Sequence, residues 1–238
     1  SMGVCVWIEF MNGTANRIRT AILGASGYTG AELVRLLAHH PSAEFGVLTA
    51  NRHAGKSMGE VFPHLAGVGL PDLVNIEEAD FAAIDAVFCA LPHGTTHKVV
   101  AALPKGIKVF DLSPDFRLFD VATYESWYGP HGAPELQASA VYGLTEMSRD
   151  QIRDAHLVAC PGCYPTSALL PLVPLLQDGL ISGDGIIIDS KSGVSGAGRA
   201  AREASLYGEV AEGIHAYGIN GHRHTPEIEQ ELGRAAGQ

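Results

Sequence analysis

Several things are scarce in this sequence, and each scarcity excludes a class of function. Cysteine occurs four times in 238 residues, at Cys5, Cys89, Cys160 and Cys163. That is no disulfide framework of a small secreted domain, so a reducing compartment, the cytoplasm, is expected. Cationic side chains are outnumbered, with 16 Lys and Arg against 26 Asp and Glu and a formal charge of −10. No basic run offsets the deficit, so nucleic acid is not an expected partner, and an anionic substrate needs local basic groups to hold it against the global field. Long apolar runs are missing too. The longest, Leu169 to Leu176, is interrupted by Pro171 and Pro174, so no membrane association is expected. The apolar start, Gly3 to Met11, carries Glu9 and lacks a basic leader, which makes it a poor signal peptide.

Glycine, by contrast, is plentiful. Its 28 residues, with 13 prolines and 46% hydrophobic residues, suit an α/β protein with many tight strand-to-helix turns. Arg19 to Leu23 reads as a strand, Gly24 to Gly30 as a turn and Ala31 to Leu37 as a helix. Further strands are predicted at Phe45–Ala50, Asp85–Leu91, Lys108–Leu112, His156–Ala159 and Gly185–Lys191, with helices over Thr95–Leu103 and Thr166–Gln177. Residues 114–140 read as an irregular excursion. A last helix is predicted from Thr225, with Thr at the cap and Pro226 in the first turn. The alternation predicts a Rossmann-type doubly wound parallel sheet followed by a second, α+β substrate domain. The expected division is an N-terminal extension over residues 1–18, an NADP-binding domain over 19–160 and the first part of a catalytic domain over 161–238.

Gly24, Gly27 and Gly30 stand in G-x-x-G-x-x-G spacing between a predicted strand and a predicted helix. Backbone without a Cβ lets a pyrophosphate approach, and a helix start favours the anion; a tight turn with no ligand is the plainer alternative. NAD sites place a carboxylate at the end of the second strand, yet Phe45 to Gly59 holds none and offers Arg52 instead. A guanidinium suits the 2′-phosphate of NADP, although a solvated surface arginine would look the same. Cys163, just ahead of a helix, has the address of a nucleophile, since a helix N-terminus stabilises a thiolate. Cys160-Pro-Gly-Cys163 also admits a dithiol, a zinc half-site or an inert thiol. Among eleven histidines, His222 and His224 flank Arg223 just before a helix and are candidate acid–base groups. Arg117 and Arg199 are candidates for gripping an anion or for ordinary surface ion pairs.

Five stretches in register carry a resemblance: Gly24–Leu33, Asp111–Leu118, Pro161–Thr166, Ser192–Arg199 and Gly221–Ile228. They are similar to the N-acetyl-gamma-glutamyl-phosphate reductases of arginine biosynthesis, which belong with the aspartate-semialdehyde dehydrogenases. The resemblance implies an acyl-phosphate substrate reduced by NADPH through a thioester on Cys163, with His222 and His224 as acid–base. It implies that Gly24, Ser26, Gly27, Tyr28, Thr29 and Gly30 hold the cofactor phosphates and that Pro92, His93 and Gly94 border the cofactor. Arg117, Ser192 and Arg199 would contact substrate. No metal is expected, and a homo-oligomer is. Family members continue past the last residue here, so the substrate domain is expected to be incomplete in this chain.

Overall fold

The structure, a computed structural model, describes residues 17–237; most of the extension expected over residues 1–18 lies outside them. The chain forms β1 (Ile18–Leu23), α1 (Tyr28–Leu37), β2 (Ala43–Thr49), α2 (Met58–Val61), β3 (Leu73–Val74) and β4 (Ala86–Cys89). It continues with α3 (Thr96–Ala102), β5 (Lys108–Asp111), α4 (Val121–Tyr128), α5 (Pro134–Gln137), β6 (Val141–Tyr142), α6 (Thr145–Asp154) and β7 (Leu157–Ala159). The last helices are α7 (Cys163–Gln177), α8 (Tyr207–Val210) and α9 (Thr225–Ala235). The strands stand in the order β3-β2-β1-β4-β5-β7-β6, with parallel pairings, as a doubly wound sheet requires.

Two compact units share the chain. One runs up to Ala90 and includes Pro104–Lys108; the other takes Leu91–Leu103 and the chain from Val109 onward. In the first, Thr20, Ala21, Ile22 and Leu23 are buried in succession, the mark of a strand covered on both faces. Ile22, Leu48 and Leu73 from β1, β2 and β3 meet Ala31 and Val34 of α1 in one apolar cluster. In the second unit, Tyr142, Leu144, Leu169 and Val173 form a cluster on which Leu232 and Ala235 of α9 pack.

Four local expectations need correction. The helix predicted from Thr166 begins at Cys163, with Gly162 as its cap residue. Pro165 falls in the first turn, where its missing N–H is no loss, so the helix extends back through it. The strand predicted over Gly185–Lys191 is absent: residues 186–193 have no regular structure, and Ile187 is 93% exposed. An apolar run becomes a strand only beside a hydrogen-bonding neighbour, and none pairs with it among the described residues. At α9, His224 rather than Thr225 occupies the cap position. The excursion over residues 114–140 contains two short helices, α4 and α5.

The turn from β1 into α1 shows why glycine is needed. Gly24 has φ +83°, and its N–H donates to Thr49 Oγ1 at 3.2 Å. A Cβ on Gly30 would lie 2.4 Å from the Gly24 carbonyl oxygen and 2.6 Å from the Ala25 Cα. Both are backbone atoms that a rotamer change cannot move. Gly30→Ala is therefore expected to destabilise the protein by about 1–3 kcal/mol, read as a lower urea midpoint at unchanged m-value. An unchanged midpoint would mean that the loop yields.

Candidate active site

The segment after β5 begins the second unit's polar interior. Asp111 is fully buried, and its carboxylate accepts the Ser113 N–H at 2.9 Å and the Ser113 hydroxyl at 2.8 Å. Burial raises its pKa to about 7 against the lowering effect of those hydrogen bonds. Two residues on, the buried Asp115 carboxylate accepts N–H groups from Gly94 (2.8 Å) and His97 (3.2 Å) and the Tyr124 hydroxyl (2.8 Å). Arg117 is 6% exposed. Its Nε donates to the Cys160 carbonyl at 2.8 Å, one terminal nitrogen to the Leu112 carbonyl at 2.7 Å, and the other faces Glu227 Oε2 at 3.5 Å.

Glu227 comes from the first turn of α9 and is 2% exposed. Its Oε1 accepts the Tyr142 hydroxyl at 2.8 Å and the Gly162 N–H at 2.9 Å. Gly162 immediately precedes Cys163, so a carboxylate on one helix fixes the start of another. The same glycine admits the histidine: a Cβ there would sit 2.5 Å from His224 Nε2 and 2.9 Å from the Arg117 guanidinium. Only glycine lets that ring close on the start of α7.

Cys163 is exposed on the first residue of the fifteen-residue α7, where the helix dipole favours negative charge. Rings on the next residue and on the segment before α9 interlock. Tyr164 meets His222 and His224 edge-on at 5.1 and 5.8 Å, and the two imidazoles lie 4.9 Å apart. The pair sits in a turn, where His222 Nδ1 accepts the His224 N–H at 3.1 Å. The Tyr164 and Tyr217 hydroxyls are 2.6 Å apart, and burial, with that hydrogen bond, raises Tyr217 to about 12. Burial, then the Arg117 charge, pushes His224 down to about 4, while burial and Arg223 lower His222. His224 Nδ1 is buried with no hydrogen-bond partner. A cavity of about 1000 Å³ is lined by Tyr164, Ser192, Tyr217, His222 and His224.

The sequence-predicted residues thus divide between the units. Gly24, Ser26, Gly27, Tyr28, Thr29, Gly30 and Arg52 belong to the first, and Arg52 is exposed beyond the end of β2. Pro92, His93, Gly94, Arg117, Cys163, Ser192, Arg199, His222 and His224 belong to the second. His222 and His224 come together and share a cavity with Ser192, and His224 also reaches Gly162 beside Cys163; Cys163 itself does not line that cavity, and Arg199 is exposed and does not line it either. Arg117 is interior and committed to protein oxygens, not an open fork. The dithiol alternative loses ground, because burial, with Asp111 nearby, raises Cys160 to about 12 and neither cysteine is in a disulfide. Among the described residues, no group of three or more His, Cys, Asp and Glu is placed to hold a metal. Nor is any helix among them long and apolar enough to cross a membrane. Sequence reasoning missed Asp115 and Glu227. Each stands inside a quoted motif, but its partners lie 9 to 110 residues away in the chain and leave no spacing signal.

Comparison with known proteins supplies the family. Residues 19–155 match the semialdehyde dehydrogenase NAD-binding domain, and residues 163–238 match the semialdehyde dehydrogenase dimerisation domain. The chain is 62% identical over 224 residues to the probable chloroplastic N-acetyl-gamma-glutamyl-phosphate reductase of Oryza sativa subsp. japonica, covering 94% of this chain and 54% of that protein. It is 60% identical over 230 residues to the N-acetyl-gamma-glutamyl-phosphate reductase of Rhodospirillum rubrum, covering 94% and 65%. It thus spans between half and two thirds of the length of these curated relatives. The crystal structure of aspartate semialdehyde dehydrogenase II from Vibrio cholerae superposes with a TM-score of 0.59 at 17% identity, over 94% of this chain and 67% of that one, a likeness of fold alone. With its dinucleotide-type turn, its cysteine-bearing helix and these matches along both parts of its length, the chain belongs to the semialdehyde dehydrogenase family.

Proposed function

We propose that the protein reduces N-acetyl-gamma-glutamyl phosphate to N-acetylglutamate semialdehyde with NADPH, releasing phosphate, as a step of arginine biosynthesis. The observation that carries this reading is the exposed Cys163 at the start of α7 with the His224 ring closed against Gly162. Relatives bearing that name, at 60% identity or more, support the substrate. The residues fit the cofactor. The space a Cβ on Gly30 would fill is already backbone, α1 starts without a side-chain cap, and no carboxylate between Phe45 and Gly59 opposes a 2′-phosphate near Arg52. Gly24, Ser26, Gly27, Tyr28, Thr29 and Gly30 would hold the pyrophosphate, and Pro92, His93 and Gly94 would border the cofactor. We divide the chain into a cofactor domain over residues 19–160 and the beginning of a catalytic domain over 161–238. A homo-oligomer in the cytoplasm completes the proposal. The matched dimerisation domain supports the oligomer, and the free thiols of Cys89, Cys160 and Cys163 among the described residues support a reducing compartment.

Near neutral pH His224 is unprotonated, because burial and Arg117 disfavour its cation. It accepts the Cys163 proton as sulfur attacks the γ-acyl carbon. The carbon–oxygen bond to phosphate breaks, phosphate leaves and a thioester remains. Held by these residues, NADPH would supply the hydride that reduces the thioester carbon. N–H groups at the start of α7 face the resulting oxyanion, and His224 or His222 governs its protonation until the carbon–sulfur bond breaks, freeing aldehyde and thiolate. Ser192 and Arg199 would hold the substrate. Arg117, bound to the Cys160 and Leu112 carbonyls, contributes its field rather than a direct grip.

Incubation with N-acetyl-gamma-glutamyl phosphate in the absence of NADPH is expected to add one acyl group to Cys163, read by intact mass and peptide mapping. Cys163→Ser is expected to abolish the adduct and turnover while keeping NADPH affinity. Normal turnover by the Ser variant would end the thioester scheme. The base makes a second prediction. Since kcat/KM follows the free enzyme, its acid limb is expected as pH falls through about 4, the value for His224, rather than near the ordinary imidazole range. His224→Asn should lower kcat/KM by about 10²–10³-fold and remove that limb. A limb near 6.5 in the parent protein would exclude His224 as the base.

A further inference from the structure

Asp115 is a buried carboxylate that the chemistry above does not use. Its oxygens accept the Gly94 N–H, the His97 N–H and the Tyr124 hydroxyl, and His97 Nδ1, at 3.5 Å, is too poorly placed to be a fourth partner. The aspartate is itself held on both sides. Its N–H donates to Ser113 Oγ at 3.1 Å, and its carbonyl accepts from His131 Nε2 at 2.7 Å. The His131 tautomer follows from its other nitrogen, which accepts the Ala133 N–H at 3.1 Å. Tyr124 and His131 meet edge-on at 4.7 Å, so the excursion over residues 114–140 closes around this one acid. Two of its three donors are backbone groups: the Gly94 N–H of the turn that follows β4 and the His97 N–H in the first turn of α3. In the turn after β4, Gly94 has φ +75° and His93 stays exposed.

The sheet order says which half of a dinucleotide that turn would meet. From β1 the chain moves to β2 and β3, then returns to pair β4 on the other side of β1, with Leu23 level with Cys89. Ligands of doubly wound sheets bind at the carboxyl ends of the strands at such a reversal. The glycine turn follows β1, and Arg52, suited to the adenosine 2′-phosphate, follows β2. The turn after β4 therefore belongs to the side away from the adenosine, toward the nicotinamide. We propose that Asp115 is a positioning residue for the nicotinamide half of NADPH, holding the Pro92-His93-Gly94 turn in its binding shape through the Gly94 and His97 amides. The inference rests on the NADPH reading above.

An asparagine at this position keeps one acceptor oxygen but turns an NH2 group toward a backbone N–H, so one of the two amides loses its partner. A turn no longer pre-formed must be ordered on binding, which weakens affinity. In the complete protein, Asp115→Asn is expected to raise the NADPH dissociation constant about tenfold by fluorescence titration. Affinity for 2′-phospho-ADP-ribose, which lacks the nicotinamide, should stay within about twofold, and acylation of Cys163 without NADPH should persist. Unchanged NADPH affinity would overturn the proposal, and so would equal losses for NADPH and the fragment, which would mark a general structural role. Should the Asn variant not fold, Tyr124→Phe removes one hydrogen bond to the same carboxylate oxygen. A rise of about threefold for NADPH alone is then expected, and no change would overturn the proposal. Absence of NADPH binding by the parent protein would instead count against the cofactor reading itself.

Discussion

The contact between Glu227 and the Gly162 N–H is the constraint on which the rest of the site depends. A carboxylate 2% exposed has lost its water, a cost of several kcal/mol unless donors replace the hydration. Three do so: the Gly162 amide, the Tyr142 hydroxyl and the Arg117 guanidinium at longer range. Each comes from a different part of the second unit, and two of them are tied to the segment that carries Cys163. Gly162 precedes Cys163, Arg117 grips the carbonyl of Cys160, and Glu227 itself stands three residues beyond His224. Apolar packing brings α9 onto the cluster around Leu169 and Val173, but apolar contact alone tolerates small slides along the helix axis. The polar tie removes that freedom, because a slide would leave a buried charge without its donors.

His224 shows the cost of this arrangement. Closing its ring against Gly162 places it out of water and next to Arg117, and both effects disfavour the imidazolium. Such a ring is a weak base while the site is empty. An acyl phosphate carries negative charge of its own, and its arrival beside Arg117 acts in the opposite direction, favouring the protonated ring. Proton uptake by His224 is thus most favourable when the electrophile is in place.

How much of this was legible beforehand depends on the range of each interaction. The turn around Gly24, Gly27 and Gly30 is a local matter of strand, backbone clearance and helix, and the residues alone place the strand within one position and the helix start within three. The sequence sets Cys163 three residues ahead of its helix, because a Pro in the first turn looks the same whether the helix starts before or after it. The run Gly185–Lys191 has the apolar pattern of a strand, yet a strand is a property of two chains of backbone, not one. Asp115 and Glu227 are the instructive omissions. Both are charged residues in turns and first helical turns, where solvated acids are common, and only the long-range contacts of Gly94, Gly162 and Arg117 give them a role. Arg117 follows the same rule: its residue type suits an anion, but its surroundings supply three oxygens of the protein first.

The short segment from Asp111 to Arg117 links these observations. Ser113 bonds back to Asp111 and forward to the Asp115 N–H, which bends the chain sharply after β5 and sends successive acidic and basic side chains in different directions. Asp115 turns toward the amides after β4, and Arg117 toward the carbonyl of Cys160 and the carboxylate of Glu227. One serine-centred turn therefore fixes two structures at once: the turn we assign to the nicotinamide, and the backbone leading into the cysteine helix. A hydride transfer needs its donor and acceptor held to within a fraction of an ångström, and loops anchored separately would add their errors. Anchoring both to the same seven residues makes those errors common to the two sides, so that a shift of the segment carries both together.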